Sequence, residues 1–115
     1  MRDCLLSIQR ETTTPFEIII VDNASTDDSC AMVEREFPEA KLIANKENQG
    51  FAKANNQGLR EAKGEYVLFL NPDTVILHHA IDRMIAYLES HSSIGLLGPH
   101  TFNADGKTTQ ATALH

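Results

Sequence analysis

Apolar residues alternate along this chain between short continuous runs and helical spacings, a pattern that predicts an α/β domain. Leu5, Leu6 and Ile8 read as the tail of a short helix, which Thr12-Thr13-Thr14-Pro15 interrupts. The run from Phe16 to Val21 predicts a buried strand. From about Asp27 to Phe37, Cys30, Val33 and Phe37 recur at helical spacing, with Asp27 and Asp28 in the first turn and Pro38 closing the helix. Lys41 to Ala44 is a short strand. A second helix follows from about Gly50 to Ala62, with Gly64 as its stop. Tyr66-Val67-Leu68-Phe69-Leu70 is the most apolar run and predicts the central strand, ended by Asn71-Pro72-Asp73-Thr74. Ile81, Met84, Ile85 and Leu88 stand at i, i+3, i+4 and i+7, which specifies a helix with one apolar face. Ile94 to Leu97 reads as a further strand, and Asn103-Ala104-Asp105-Gly106 as a turn. Such an order builds a mainly parallel sheet flanked by helices, within one domain spanning residues 1–115.

Composition narrows the functional classes. The chain has 115 residues, 42% of them hydrophobic, which suits a folded core and excludes disorder. Ten basic against sixteen acidic residues give a net charge of −6 with no basic cluster, so a nucleic-acid face is not expected and a divalent cation suits the balance better. Cys4 and Cys30 are widely spaced and match no metal or redox pattern, which predicts buried reduced thiols and a cytoplasmic setting. No apolar run approaches the roughly 18 residues that a membrane span needs.

In open α/β sheets, ligands bind outside the carboxyl ends of the strands, so those ends are where chemistry is sought. Two predicted strands run into acidic residues there, Val21 into Asp22 and Leu70 through Asn71-Pro72 into Asp73. Either carboxylate can bind a base, a ribose or a hard cation; either can equally cap its own turn. Between them lies the block Asn48 to Gly58, in which Gly50 permits close backbone approach and the helix amino terminus offers N–H groups to a phosphate. Lys53 adds a positive charge. Asn55 and Asn56 are poor helix formers placed mid-helix, which predicts a local compensation, although the block also reads as a solvated polar face.

Taken together, Val21-Asp22-Asn23-Ala24-Ser25, the block Asn48 to Gly58, and Gly64-Glu65-Tyr66 running into Leu70-Asn71-Pro72-Asp73 resemble glycosyltransferase family 2, particularly its bacterial rhamnosyltransferase-like branch. The resemblance spans essentially the whole chain. It implies a GT-A fold and inverting transfer of a sugar from a nucleoside-diphosphate donor to a sugar or lipid-linked acceptor, in cell envelope polysaccharide biosynthesis. It assigns Asp22, Asn23, Ser25, Asn48, Gly50, Phe51, Asn55, Asn56, Asn71 and Asp73 to the donor site. Asp22 then contacts base or ribose, and Asp73 matches the last acidic residue of the DxD motif that meets Mg²⁺ or Mn²⁺ and the diphosphate. Here that motif reads Asn71-Pro72-Asp73, with an amide replacing the first carboxylate.

The same resemblance leaves the family's first strand without a counterpart before Met1 and its general base beyond His115, so no catalytic residue is assigned and an incomplete piece of the enzyme is expected. An exposed sheet edge, with pairing to a second copy, is the corresponding structural expectation. His78 and His79 open the helix after Asp73, near the crevice, but match no metal spacing. Two alternatives stand beside the transferase: a non-catalytic nucleotide-binding module, and a receiver-like signalling domain, which the Asn-Pro before Asp73 disfavours.

Overall fold

A computed structural model describes residues 1–98. Helix α1 spans Arg2–Glu11, strand β1 Ile19–Asn23, helix α2 Ser29–Glu36, strand β2 Lys41–Asn45, helix α3 Phe51–Glu61 and helix α4 Ala80–Ser90. The α/β reading is correct. Strands β1 and β2 are parallel and in register, Ile19 opposite Lys41 through Asn23 opposite Asn45. They are the only ladder among the described residues.

Successive side chains of a strand point to opposite faces, and β1 distributes its contacts accordingly. Ile18 and Ile20 pack against the buried cluster of Cys4, Leu5 and Ile8 from α1 with Met32, Val33 and Phe37 around α2. Ile19 and Val21 face the other way: a Cβ added to Gly58 would lie 3.5 Å from the Val21 side chain and 3.8 Å from that of Ile19. Helix α3 therefore lies close on that face, and helices cover both sides of the sheet. Helix α1 packs along α2: Met1 and Arg2 line one groove with Ser29, Arg2 pairs with Glu36 at 2.8 Å, and Gln9 bonds Glu39 just beyond the end of α2.

Several expected boundaries move. The first strand begins at Ile19, not Phe16, and Phe16 is exposed. Asp27 and Asp28 precede α2 instead of forming its first turn; Asp28 is its N-cap, and Asp27 accepts the Ser29 N–H at 3.0 Å. Ala62, in extended conformation, ends α3, so Gly64 is not its stop. Cys30 is only half-buried, whereas Cys4 is buried.

The larger correction concerns Tyr66 to Leu70, which forms no strand. Strand formation requires a partner edge as well as suitable side chains, and no ladder reaches this segment among the described residues. Tyr66, Val67, Leu68 and Phe69 are exposed, and Leu70 alone packs on the core. Ile94 to Leu97 is likewise unpaired, with Leu96 exposed. Helix α4 forms as its spacing demands, but of Ile81, Met84, Ile85 and Leu88 only Ile81 packs against the buried cluster. The turn expected at Asn103 to Gly106 lies outside the described residues. No described helix is long and apolar enough to cross a membrane.

Candidate functional site

The carboxyl end of β1 presents Asp22 and Asn23, and strand alternation sends them to opposite faces. Asp22 turns toward α2. It is buried and accepts the Ser25 N–H at 3.0 Å, closing the turn after the strand. Hydrogen bonds from the Ser25 side chain, and further ones from the Ser25 backbone and the Cys30 thiol, hold its carboxyl below the usual carboxylate range despite burial. The group is thus a fixed anion. Burial pushes the Cys30 thiol up, with the neighbouring Asp22 carboxylate adding to the effect. Between them, Ala24 has a φ of 62°, left-handed backbone that costs an L-residue about 1–2 kcal/mol.

Asn23 turns toward α3. Its Oδ1 accepts from Asn45 Nδ2 at 3.0 Å and from the Gln49 N–H at 3.4 Å, and its Nδ2 donates to the Gly50 carbonyl at 3.4 Å. Asn48 closes the same loop by accepting the Gly50 N–H through Oδ1 at 2.8 Å. Gly50 caps α3 with a φ of 84° and nothing within 4 Å of its missing Cβ. A side chain would fit the space there but not the backbone, so glycine is required by conformation. Phe51 follows with 82% of its surface exposed, an aromatic face free at the helix amino terminus. Asn55 is half-buried and Asn56 exposed within α3, and neither side chain forms a hydrogen bond among the described residues.

Asn71 to Thr74 forms the second turn. The Asn71 carbonyl accepts from Thr74 N at 3.1 Å and Thr74 Oγ1 at 2.7 Å, and Asn71 Oδ1 faces the Asp73 N–H at 3.5 Å. The Cys4 thiol lies 3.9 Å from the same carbonyl, which anchors this turn at the amino end of α1. Burial raises the Cys4 thiol. Met1 and Arg2, at the start of α1, line one groove with Asp27 and Asp28 of the segment that follows Asp22, so this segment and the Asn71 turn both adjoin the start of α1. Asp73 itself is exposed.

The structure therefore joins Asn23, Asn48 and Gly50 in one network and Asp22 with Ser25 in another, while Asn71 and Asp73 share a separate turn. Among the described residues no group of three or more His, Cys, Asp or Glu side chains converges as a metal site. Asp73 supplies the one carboxylate of the Asn71 to Thr74 turn, an oxygen donor of the kind a hard cation takes. His79 does not reach this end. His79 bonds the Glu11 carbonyl at 2.9 Å, at the opposite end of α1 from Cys4, which corrects the expectation that it lies near the crevice.

An open groove of about 270 Å³ lies between the amino ends of α1 and α2, lined by Met1, Arg2, Asp27, Asp28, Ser29 and Met32. None of the sequence-derived site residues lines it, and its two aspartates repel a diphosphate. A smaller depression beside Ile19 and Lys41 sits at the amino ends of the strands, the wrong end for ligand binding in such sheets. Sequence reading missed Asn45 and Gln57, which hold Asn23 in place. The signal was available in an amide at a strand end facing an amide-rich helix.

The sequence model of glycosyl transferase family 2 matches residues 1–114. An uncharacterized glycosyltransferase of Haemophilus influenzae is 31% identical over 93 residues, covering 81% of this chain and 31% of that protein. The teichoic acid poly(glycerol phosphate) polymerase of Staphylococcus epidermidis is 34% identical over 105 residues, 86% of this chain and 14% of its own length. The minor teichoic acid biosynthesis protein GgaB of Bacillus subtilis is 29% identical over 97 residues, 81% of this chain and 11% of its own. This chain thus spans less than a third of each of these relatives. No solved structure matches it. With the family model covering nearly every residue and the α/β layers in place, the chain belongs to glycosyl transferase family 2 and carries part of its GT-A fold.

Proposed function

We propose that this chain supplies the donor-binding half of a glycosyltransferase, holding a nucleoside-diphosphate sugar at the carboxyl ends of β1 and β2 for inverting transfer to an acceptor hydroxyl. The observation that carries the reading is the placement of Asp22 and Asn23 on opposite faces of one strand end. One is a buried fixed anion; the other holds the glycine turn that opens α3. Asp22 suits hydrogen bonds from a base or ribose. The free N–H groups at the start of α3 suit a phosphate, and the exposed Phe51 ring suits stacking. Asp73 would hold Mg²⁺ or Mn²⁺, which when bound supplies charge neutralisation for the diphosphate leaving group.

The teichoic acid relatives support an acceptor belonging to an envelope polymer. The free thiols Cys4 and Cys30 support a cytoplasmic location. Self-association belongs to the same reading, through an exposed edge of the parallel sheet. Light scattering that returns a monomer at high concentration would remove that part.

Calorimetric titration with UDP, dTDP and GDP, each with and without Mn²⁺, tests the donor site. Binding to one of them that needs Mn²⁺ and is lost in both Asp73→Ala and Asp22→Ala is the expected result. No binding of any of the three by the full-length protein would overturn it.

A further inference from the structure

Asn45 ends β2, and Gln57 lies seven residues beyond Gly50 on the same face of α3. Their amides pair reciprocally: Asn45 Nδ2 donates to Gln57 Oε1 at 2.8 Å, and Gln57 Nε2 donates to Asn45 Oδ1 at 3.0 Å. The second Nδ2 hydrogen of Asn45 goes to Asn23 Oδ1 at 3.0 Å. From Asn23 the bonds continue to backbone only, to Gln49 N–H and the Gly50 carbonyl. That backbone fixes the direction of the whole chain of bonds. An N–H can only donate and a carbonyl only accept, so Asn23 must show its oxygen to Gln49 and its nitrogen to Gly50. Asn45 must then show nitrogen to Asn23, and Gln57 has a single orientation that satisfies it twice.

We propose that Asn45 and Gln57 are positioning residues for donor binding, acting through Asn23 to set the backbone of Gln49 and Gly50 at the start of α3. The inference rests on the donor-site reading above. Both bonds from Asn23 to the loop are long, so the loop relies on Asn23 being held rigidly from behind. A network whose far end touches only the phosphate-facing turn contributes to that turn's geometry more than to the sheet, which the β1–β2 ladder already joins.

The test uses Gln57→Glu and Gln57→Ala in the full-length protein, titrated with UDP, dTDP and GDP alongside wild type and Asp22→Ala. Gln57→Glu keeps the shape but sets oxygen against Asn45 Oδ1. Both Gln57 variants are expected to weaken nucleoside-diphosphate binding about tenfold, the scale of one hydrogen bond, with the thermal midpoint lowered but the protein fully folded at the temperature of the titration. In turnover, donor KM rises by the same factor while kcat at saturating donor holds, because a binding turn serves ground and transition states alike. If wild type binds, Asp22→Ala does not, and both Gln57 variants match wild type, the positioning role is wrong while the donor site stands. If wild type binds none of the three, the donor reading fails and the positioning role with it. Loss of folding in both Gln57 variants, or a fall in kcat without a change in KM, also overturns the proposal.

Discussion

Ser7 and Ile76 are joined across the core by one hydroxyl: Ser7 Oγ accepts the Ile76 N–H at 2.9 Å while donating to the Cys4 carbonyl at 2.7 Å. Ser7 is completely buried. This bond ties the segment after Asp73 to α1 and so helps set where the Asp73 turn sits. Ser7→Ala leaves the Ile76 N–H buried without a partner, which is expected to cost about 1–3 kcal/mol in chemical denaturation.

Asp82 performs a related task at the other end of α1. Its carboxylate accepts from the backbone N–H and hydroxyl of both Thr13 and Thr14, at 2.6 to 3.0 Å. Led by the Thr14 hydroxyl, these bonds hold it well below the usual carboxylate range. A carboxyl depressed in the folded state stabilises the fold above its unfolded value of about 3.9, and that contribution is lost as pH falls through the folded value. Thermal midpoints measured downward from about pH 5 should fall more steeply for wild type than for Asp82→Asn, whose midpoint is already lower at neutral pH.

Two phenylalanines separate stability from binding. Phe37, 2% exposed, packs in the α1–α2 core, and Phe37→Ala should cost about 3–5 kcal/mol of stability. Phe51 is 82% exposed, so Phe51→Ala should leave unfolding within about 0.5 kcal/mol of wild type. The same change should weaken nucleotide binding by about 1–3 kcal/mol if the ring stacks on the base. Denaturation and calorimetry on both variants read the contrast directly.

Ala24 carries left-handed backbone beside Asp22 without a glycine to permit it. Ala24→Gly removes that strain but adds freedom to the unfolded chain. The expected net effect is stabilisation of up to about 1 kcal/mol by thermal unfolding, with nucleotide binding retained.

The sequence makes legible those elements whose determinants are local. The apolar spacing of α4 and the glycine before α3 each specify a structure within a few residues, and both form. Tyr66 to Leu70 shows where this stops. Its side chains suit a strand, but a strand is completed by a neighbour's backbone, and side-chain pattern carries no information on whether that neighbour is present. The site divides in the same way. Asp22, Asn23 and Gly50 were visible as residue types at strand and helix ends, whereas Asn45 and Gln57 acquire meaning only when twelve residues of separation collapse into an amide pair.

The connection running from Gln57 through Asn45 and Asn23 to the Gly50 turn contains no titratable group at any step. Its shape is therefore indifferent to acidity across the range in which carboxylates and phosphates change charge. Any bell or slope in the pH profile of nucleotide affinity would then arise outside this connection, since the scaffold itself does not ionise.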